Sequence, residues 1–290
     1  MDITVAEERV FQLLPTLGID QAREKAWDKK IAVFGAGLTS IFSRPKAEDV
    51  QIIYSECRYE PFWHVACHVR YVYDRTRSYN IPVSSPEVQR VTVEGVEHLV
   101  TAKPRQFTIT GVEHCIEEAS TDVVFDAIAG QERDWKNYLR FGKEPVPDLG
   151  QFAPEGSIVV PAEMRASAVV RQVLGSIMRP IQADTIREER VDIQAVDLYF
   201  KPVYAFEYRW EPKDKTAVAE FDGLTGEMRT GGVTFRQQVK SVLTPELLLD
   251  VGIDAVDLLV PGGGIAIKLV RAVVDPRSHG ASGDEDKTGG

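Results

Sequence analysis

Tyr59-Glu60-Pro61-Phe62-Trp63-His64-Val65-Ala66-Cys67-His68-Val69-Arg70-Tyr71-Val72-Tyr73 is an aromatic and β-branched run entered through a proline. Such residues favour an extended, half-buried strand, and Pro61 removes one ladder donor where pairing begins. Side chains alternate along a strand, so Trp63, Val65, Cys67, Val69 and Tyr71 share a core side. His64, Ala66, His68 and Arg70 share a polar side. A second run, Phe200-Lys201-Pro202-Val203-Tyr204-Ala205-Phe206-Glu207-Tyr208-Arg209-Trp210, repeats the design. Laying Pro61 on Pro202 also pairs Val50 with Val191, Ile52 with Ile193 and Glu56 with Asp197. Phe125-Asp126-Ala127-Ile128-Ala129-Gly130 then matches Phe221-Asp222-Gly223-Leu224-Thr225-Gly226. The chain therefore reads as a divergent duplication: an α+β fold of two related antiparallel β-rich halves with flanking helices.

Outward from these strands, hydrophobic spacing predicts helices. Residues 4–14 place Val5, Ala6, Val10, Leu13 and Leu14 on one helical face, closed by Pro15 and Gly18. Asp20 caps a second helix carrying Ala22, Ala26 and Trp27. Residues 131–141 read as a short helix. A helix opened by Pro161 carries Val169, Val170, Val173, Leu174 and Ile177. Thr92 to Val100 is echoed by Thr108 to Ile116 around a shared Gly-Val-Glu-His, and both copies read as strand, glycine kink and strand. Residues 144–157 hold three prolines and two glycines and mark a linker between units 1–143 and 158–240. Thr244-Pro245 opens a helical hairpin over 241–274, with Leu247, Leu248, Val251, Ala255, Leu258 and Leu259 as its stripe. Residues 275–290 read as a disordered tail.

The helix–strand–strand pattern of residues 161–232, with its turn Phe221-Asp-Gly-Leu-Thr-Gly-Glu227, resembles the PepSY-like modules of bacterial proteins and, more loosely, cystatin-like folds. That resemblance implies a non-catalytic binding or regulatory role and names no ligand.

Composition narrows the function classes. The 290 residues, 43% hydrophobic and 27% charged, are those of a globular protein. A formal net charge of −10 repels phosphate backbones, so nucleic acid is not an expected partner. Arg58, Arg70, Arg75 and Arg77 are the one local basic group. Three scattered cysteines suit a reducing compartment better than a disulfide framework. The opening residues have no basic n-region or apolar core, so no signal peptide is expected. The apolar stretch 251–274 is interrupted by charges, a proline and glycines, so no transmembrane segment is expected. The cytoplasm is the expected address.

Metal binding is the sharpest chemical option, with His64, His114 and Cys115 as the alternative ligand set beside Cys57, Cys67 and His68. On a strand, however, His64 and His68 stand about 13 Å apart, and Cys67 points away from both. The segment 30–40 runs into Gly35-x-Gly37, with Glu56 further on, in outline a dinucleotide-binding turn. Ser40 replaces its third glycine, and Pro45 leaves too little chain for the crossover helix. The Gly262-Gly263-Gly264 loop lacks the Lys-Ser/Thr of a P-loop. No nucleophile elbow is present. No cofactor is expected. The reading is a non-catalytic interaction or scaffold protein, acting through its sheet surfaces and C-terminal hairpin on a protein partner or on further copies of itself. Trp63, His64, His68, Arg70 and Tyr204 are its candidate binding residues. A metal-dependent hydrolase and a Gly35–Gly37 nucleotide binder are the alternatives.

Overall fold

The computed structural model describes residues 1–34 and 45–235, and the backbone of Asp257–Leu258 and Ile267–Lys268. First come β1 (Asp2–Val5), β2 (Glu8–Leu13) and α1 (Ile19–Lys29), then the 33-residue β3 (Val50–Pro82). β4 (Arg90–Val93), β5 (Val96–Leu99) and β6 (Thr101–Ala102) precede the 22-residue β7 (Arg105–Asp126). β8 (Glu132–Arg133), β9 (Lys143–Pro145) and β10 (Ser157–Val159) lead to α2 (Ala166–Ile177) and the 26-residue β11 (Thr185–Trp210). β12 (Lys215–Asp222) and β13 (Met228–Thr230) follow.

These elements correct the α+β assignment. Eleven strands join in one mixed sheet, ordered β13-β12-β11-β3-β7-β6, with β1, β2, β8, β9 and β10 attached to it. Among the described residues there are only two α-helices. Residues 4–14 are not helical. β1 lies parallel to β11, from Asp2 opposite Arg190 to Val5 opposite Ile193, and in β2 Phe11 stacks on Tyr199 at 5.2 Å. Their apolar spacing fits either period, and pairing with a strand far along the chain decides it. Residues 131–141 form no α-helix: they hold the short strand β8 and a 3-10 turn, Lys136–Arg140. Most of 241–274 lies outside the described residues. Its two described fragments, Asp257–Leu258 and Ile267–Lys268, pair as antiparallel strands where a helical hairpin was expected.

The chain forms two compact units, and neither follows chain order. The first comprises Met1–Arg9, Phe62–Asn137 and Glu163–Leu198; the second comprises Val10–Pro61, Tyr138–Ala162 and the chain from Tyr199. The 144–157 linker therefore does not divide them, and β3 and β11 each contribute one part to each unit.

In the first unit β3 runs antiparallel to β7, from Phe62 opposite Asp126 to Pro82 opposite Gln106. Trp63, Val65, Cys67, Val69, Tyr71 and Tyr73 are buried, as the alternation requires. α2 contributes buried Val169 and Val173, one turn apart. The Gly-Val-Glu-His echo takes two forms here. Glu94 and Gly95 turn the β4–β5 hairpin at positive φ, 49° and 82°. Gly111 instead lies within β7, opposite Arg77, where a Cβ would stand 3.5 Å from the Tyr79 ring.

In the second unit α1 packs through Ala22 and Ala26, both fully buried and small enough for a close approach. The Tyr204 hydroxyl donates to the Leu17 carbonyl (2.8 Å) and that of Tyr208 to the Ala26 carbonyl (3.0 Å). The same unit holds an ionic network. Arg58 donates to Glu56 (3.0 Å), Glu60 (2.8 Å) and Glu220 (2.6 Å). The Lys201 ammonium meets Glu60 at 3.2 Å and Asp222 at 3.7 Å, and the Tyr138 hydroxyl donates to Asp222 at 2.6 Å. Burial pushes the Glu60 and Asp222 carboxyls up, but Lys201, with Arg58 beside Glu60 and Tyr138 beside Asp222, holds both below the ordinary range.

The same local plan occurs in both units. The residue after each proline faces an aspartate: Phe62 opposite Asp126, Val203 opposite Asp222. Asp126 accepts from the Ile128 and Ala129 amides, and Asp222 from those of Leu224 and Thr225, all at 2.9–3.0 Å. Gly130 and Gly226 close these turns at φ of 70° and 71°, which a glycine adopts without strain. The strand after the turn pairs back in the same register, Glu132 with Phe125 and Met228 with Phe221. The segment entering each helix is tied to the same turn position: Glu163 and Met164 amides donate to Ala127, those of Thr16 and Leu17 to Gly223. Gly223 has no alternative there, since a Cβ would lie 2.8 Å from Pro202.

Candidate binding face

The open side of the first unit is built by the even-numbered residues of β3. His64, Ala66, His68, Arg70 and Val72 are half-buried, and their partners on β7 are Val124, Asp122, Ser120, Glu118 and Ile116. Each polar side chain in this row is held by a neighbouring strand. His64 stands between two carboxylates, its Nε2 3.5 Å from Asp122 and its Nδ1 3.7 Å from Asp197 of β11. Asp197 is buried and accepts a bidentate pair from Arg9 at 2.8 and 2.9 Å. Burial pushes its carboxyl up, but the hydrogen bonds and charges of His64 and Arg9 outweigh this and hold it below the ordinary range. Asp122 is half-exposed and also meets Lys136 at 3.6 Å.

Further along, His68 Nδ1 and the Ser120 hydroxyl are 3.0 Å apart. Arg70 pairs with Glu118 and reaches Glu188 of β11 at 3.5 Å. Asp74 takes Nδ1 of His114 at 2.7 Å and Nε of Arg187 at 2.7 Å. Arg187 first and His114 second hold the Asp74 carboxyl below its usual value. Amid these pairs two aliphatic side chains point into solvent: Val112 is 58% and Ile116 62% exposed. They flank His114 on β7, and Ile116 lies opposite Val72.

Of the residues singled out by sequence, His64, His68 and Arg70 meet on this face. Trp63 does not. It is interior, and its indole N–H donates to the Met164 carbonyl at 2.9 Å. Tyr204 belongs to the second unit and is buried against α1. The alternative metal ligands are not brought together. His64 lies opposite Val124 and His114 opposite Asp74, ten ladder steps or about 33 Å apart. Cys115 faces the other side, opposite Tyr73. Among the described residues no group of three His, Cys, Asp or Glu side chains could hold a metal ion. The Gly35–Gly37 loop lies outside the described residues.

Asp197 stood out in the sequence only as the counterpart of Glu56, and Arg9 and the Val112–Ile116 pair did not stand out as site residues. The aliphatic pair did leave a signal: in the alternation Thr108, Thr110, Val112, His114, Ile116, Glu118, Ser120, Asp122, two apolar residues occupy a polar register. In the second unit an open groove of about 450 Å³ runs between Leu17, Gln21, Lys25 and Thr225–Gly226. It holds no convergent nucleophile and base. No protein-family model matches this sequence, and comparison with curated proteins and with solved structures returns no significant match. Among the described residues no helix is long and apolar enough to cross a membrane.

Proposed function

We propose that this is a non-catalytic binding protein whose partner, another protein, docks on the β3–β7–β11 face of the first unit. One observation carries the reading: Val112 and Ile116 stand exposed among charges that are already paired. Arg70 with Glu118 and Glu188, and Asp74 with His114 and Arg187, need no counter-charge from a ligand. An apolar centre with a polar, internally satisfied rim is the anatomy of a protein interface. Side chains held by cross-strand pairs also lose little rotamer freedom on docking.

Catalysis is the weaker reading, because the His68–Ser120 pair sits on an open face with no carboxylate among the described residues orienting its imidazole. The PepSY-like resemblance of residues 161–232 agrees with a binding role. Three free cysteines agree with a reducing, cytoplasmic setting.

The test is site-directed photocrosslinking in a lysate of the source cells. A benzophenone side chain at position 116 is expected to capture one protein that the same probe at Lys213, on a turn of the second unit, does not capture. Equal capture at both positions, or none at 116, would reject the face.

A further inference from the structure

The N-terminal strand of the first unit leaves one sheet edge open. β1 pairs only with β11 among the described residues. All four of its residues are exposed, Ile3 at 49% and Val5 at 56%. The orientation of its backbone follows from the ladder. Val5 lies opposite Ile193, and the Ala6 amide donates to the Ile193 carbonyl at 2.8 Å. In a parallel ladder alternate residues bond to alternate sides, so Thr4 and Ala6 turn their peptide groups toward β11. Ile3 and Val5 turn theirs outward. An exposed strand edge with aliphatic side chains is a template for another strand.

We infer that β1 pairs antiparallel with β1 of a second copy of this chain, about a two-fold axis at Thr4. In this register Ile3 lies opposite the partner's Val5, and Val5 opposite the partner's Ile3. These are the residues whose N–H and C=O point outward, so each pair exchanges two hydrogen bonds, four in all. Thr4 meets the partner's Thr4 at the non-hydrogen-bonded position on the axis, where side chains come closest. Both aliphatic pairs fall on one face of the joined sheet. Asp2 lies opposite the partner's Ala6, so no like charges face each other. A one-residue slip would set outward peptide groups against inward ones. The contact is isologous and self-limiting. Four residues a side cover far less than the ~1,200 Å² of a tight interface, so the dimer is weak and concentration-dependent.

Two experiments on the full chain decide it. Sedimentation velocity from about 5 to 500 µM is expected to show a monomer–dimer equilibrium, as a contact of this size requires. Val5→Pro removes only an outward donor, and Ile3→Lys places a charge in the pairing face. Either is expected to leave a monomer with an unchanged melting temperature. In the second experiment, Thr4→Cys brings two thiols together on the axis, within disulfide reach, whereas two Asp2→Cys thiols stand about 13 Å apart. Mild oxidation is expected to give at least ~10-fold more covalent dimer with the first than with the second, beyond the wild-type blank, since the chain has native cysteines. A protein still monomeric at the highest concentration, a dimer that survives both substitutions, or equal crosslinking by the two cysteines would overturn the pairing.

Discussion

Asp126 and Asp222 occupy the same place twice. Each stands opposite the residue that follows a strand-entry proline, and each carboxylate accepts two backbone amides of the turn it opens. Their cationic neighbours differ: Asp126 lies 3.8 Å from the half-exposed Arg133 guanidinium. Asp222 also takes the Tyr138 hydroxyl and lies 3.7 Å from the Lys201 ammonium.

That difference has a measurable consequence. Asp126→Ala removes two charge-assisted hydrogen bonds from a partly exposed turn and is expected to cost about 1–3 kcal/mol. Asp222→Ala also leaves Lys201 with one carboxylate fewer in a buried site and is expected to cost more, about 3–5 kcal/mol. Urea denaturation of the two variants gives the comparison, and equal losses would mean that the ionic network adds nothing to the turn.

Glu60 and Lys201 hold matching positions, each directly before its proline, and they pair with each other at 3.2 Å. Lys201→Met alone takes a buried cation from beside the Glu60 and Asp222 carboxylates and is expected to destabilise by about 3–5 kcal/mol. Glu60→Gln added to it is expected to recover part of that loss, because one buried charge has gone. Chemical denaturation of the single and double variants checks this. A double variant less stable than Lys201→Met would show that Glu60 is held chiefly by Arg58.

Acid should unfold the protein in a definite window. Glu60, Asp197 and Asp222 all lie below ordinary carboxyl values in the fold, burial being outweighed by their cationic and hydrogen-bonding neighbours. A depressed folded-state value stabilises above the unfolded value and is lost as pH falls through the folded one. Stability is therefore expected to be level down to about pH 5 and to fall below about pH 4. Arg9→Met removes one of the groups holding Asp197 down, so it is expected to lower stability at neutral pH and to make the loss in acid smaller. Urea midpoints across that range measure both, and an acid loss as large as in the wild type would assign the Arg9–Asp197 pair no part in it.

The signals that were legible are local. Pro61 and Pro202, and the turns after Asp126 and Asp222, need particular residues at particular places whatever lies around them. The polar row His64, His68 and Arg70 was legible for the same reason, since period-two alternation fixes which side chains share a face. What the sequence concealed is long-range. Val5, Val10 and Leu13 fit a helix until β11 is known to lie alongside. Glu163 and Thr16 do not announce that they bond to Ala127 and Gly223. Nothing local says that the parts of β3 and β11 serve different units, so the 144–157 linker passed for a boundary. Arg9 joined His64 only through Asp197, a contact 188 residues apart in the chain.

The most direct measurement is equilibrium binding of the protein captured at position 116 to wild type and to Val112→Asp/Ile116→Asp, with melting temperatures taken alongside. If the aliphatic pair is the centre of the interface, the double variant keeps its melting temperature and binds at least ~30-fold more weakly, the loss of about 2 kcal/mol that marks an interface centre. Affinity within about twofold of wild type, in a variant that is still folded, would contradict a binding face on the first unit.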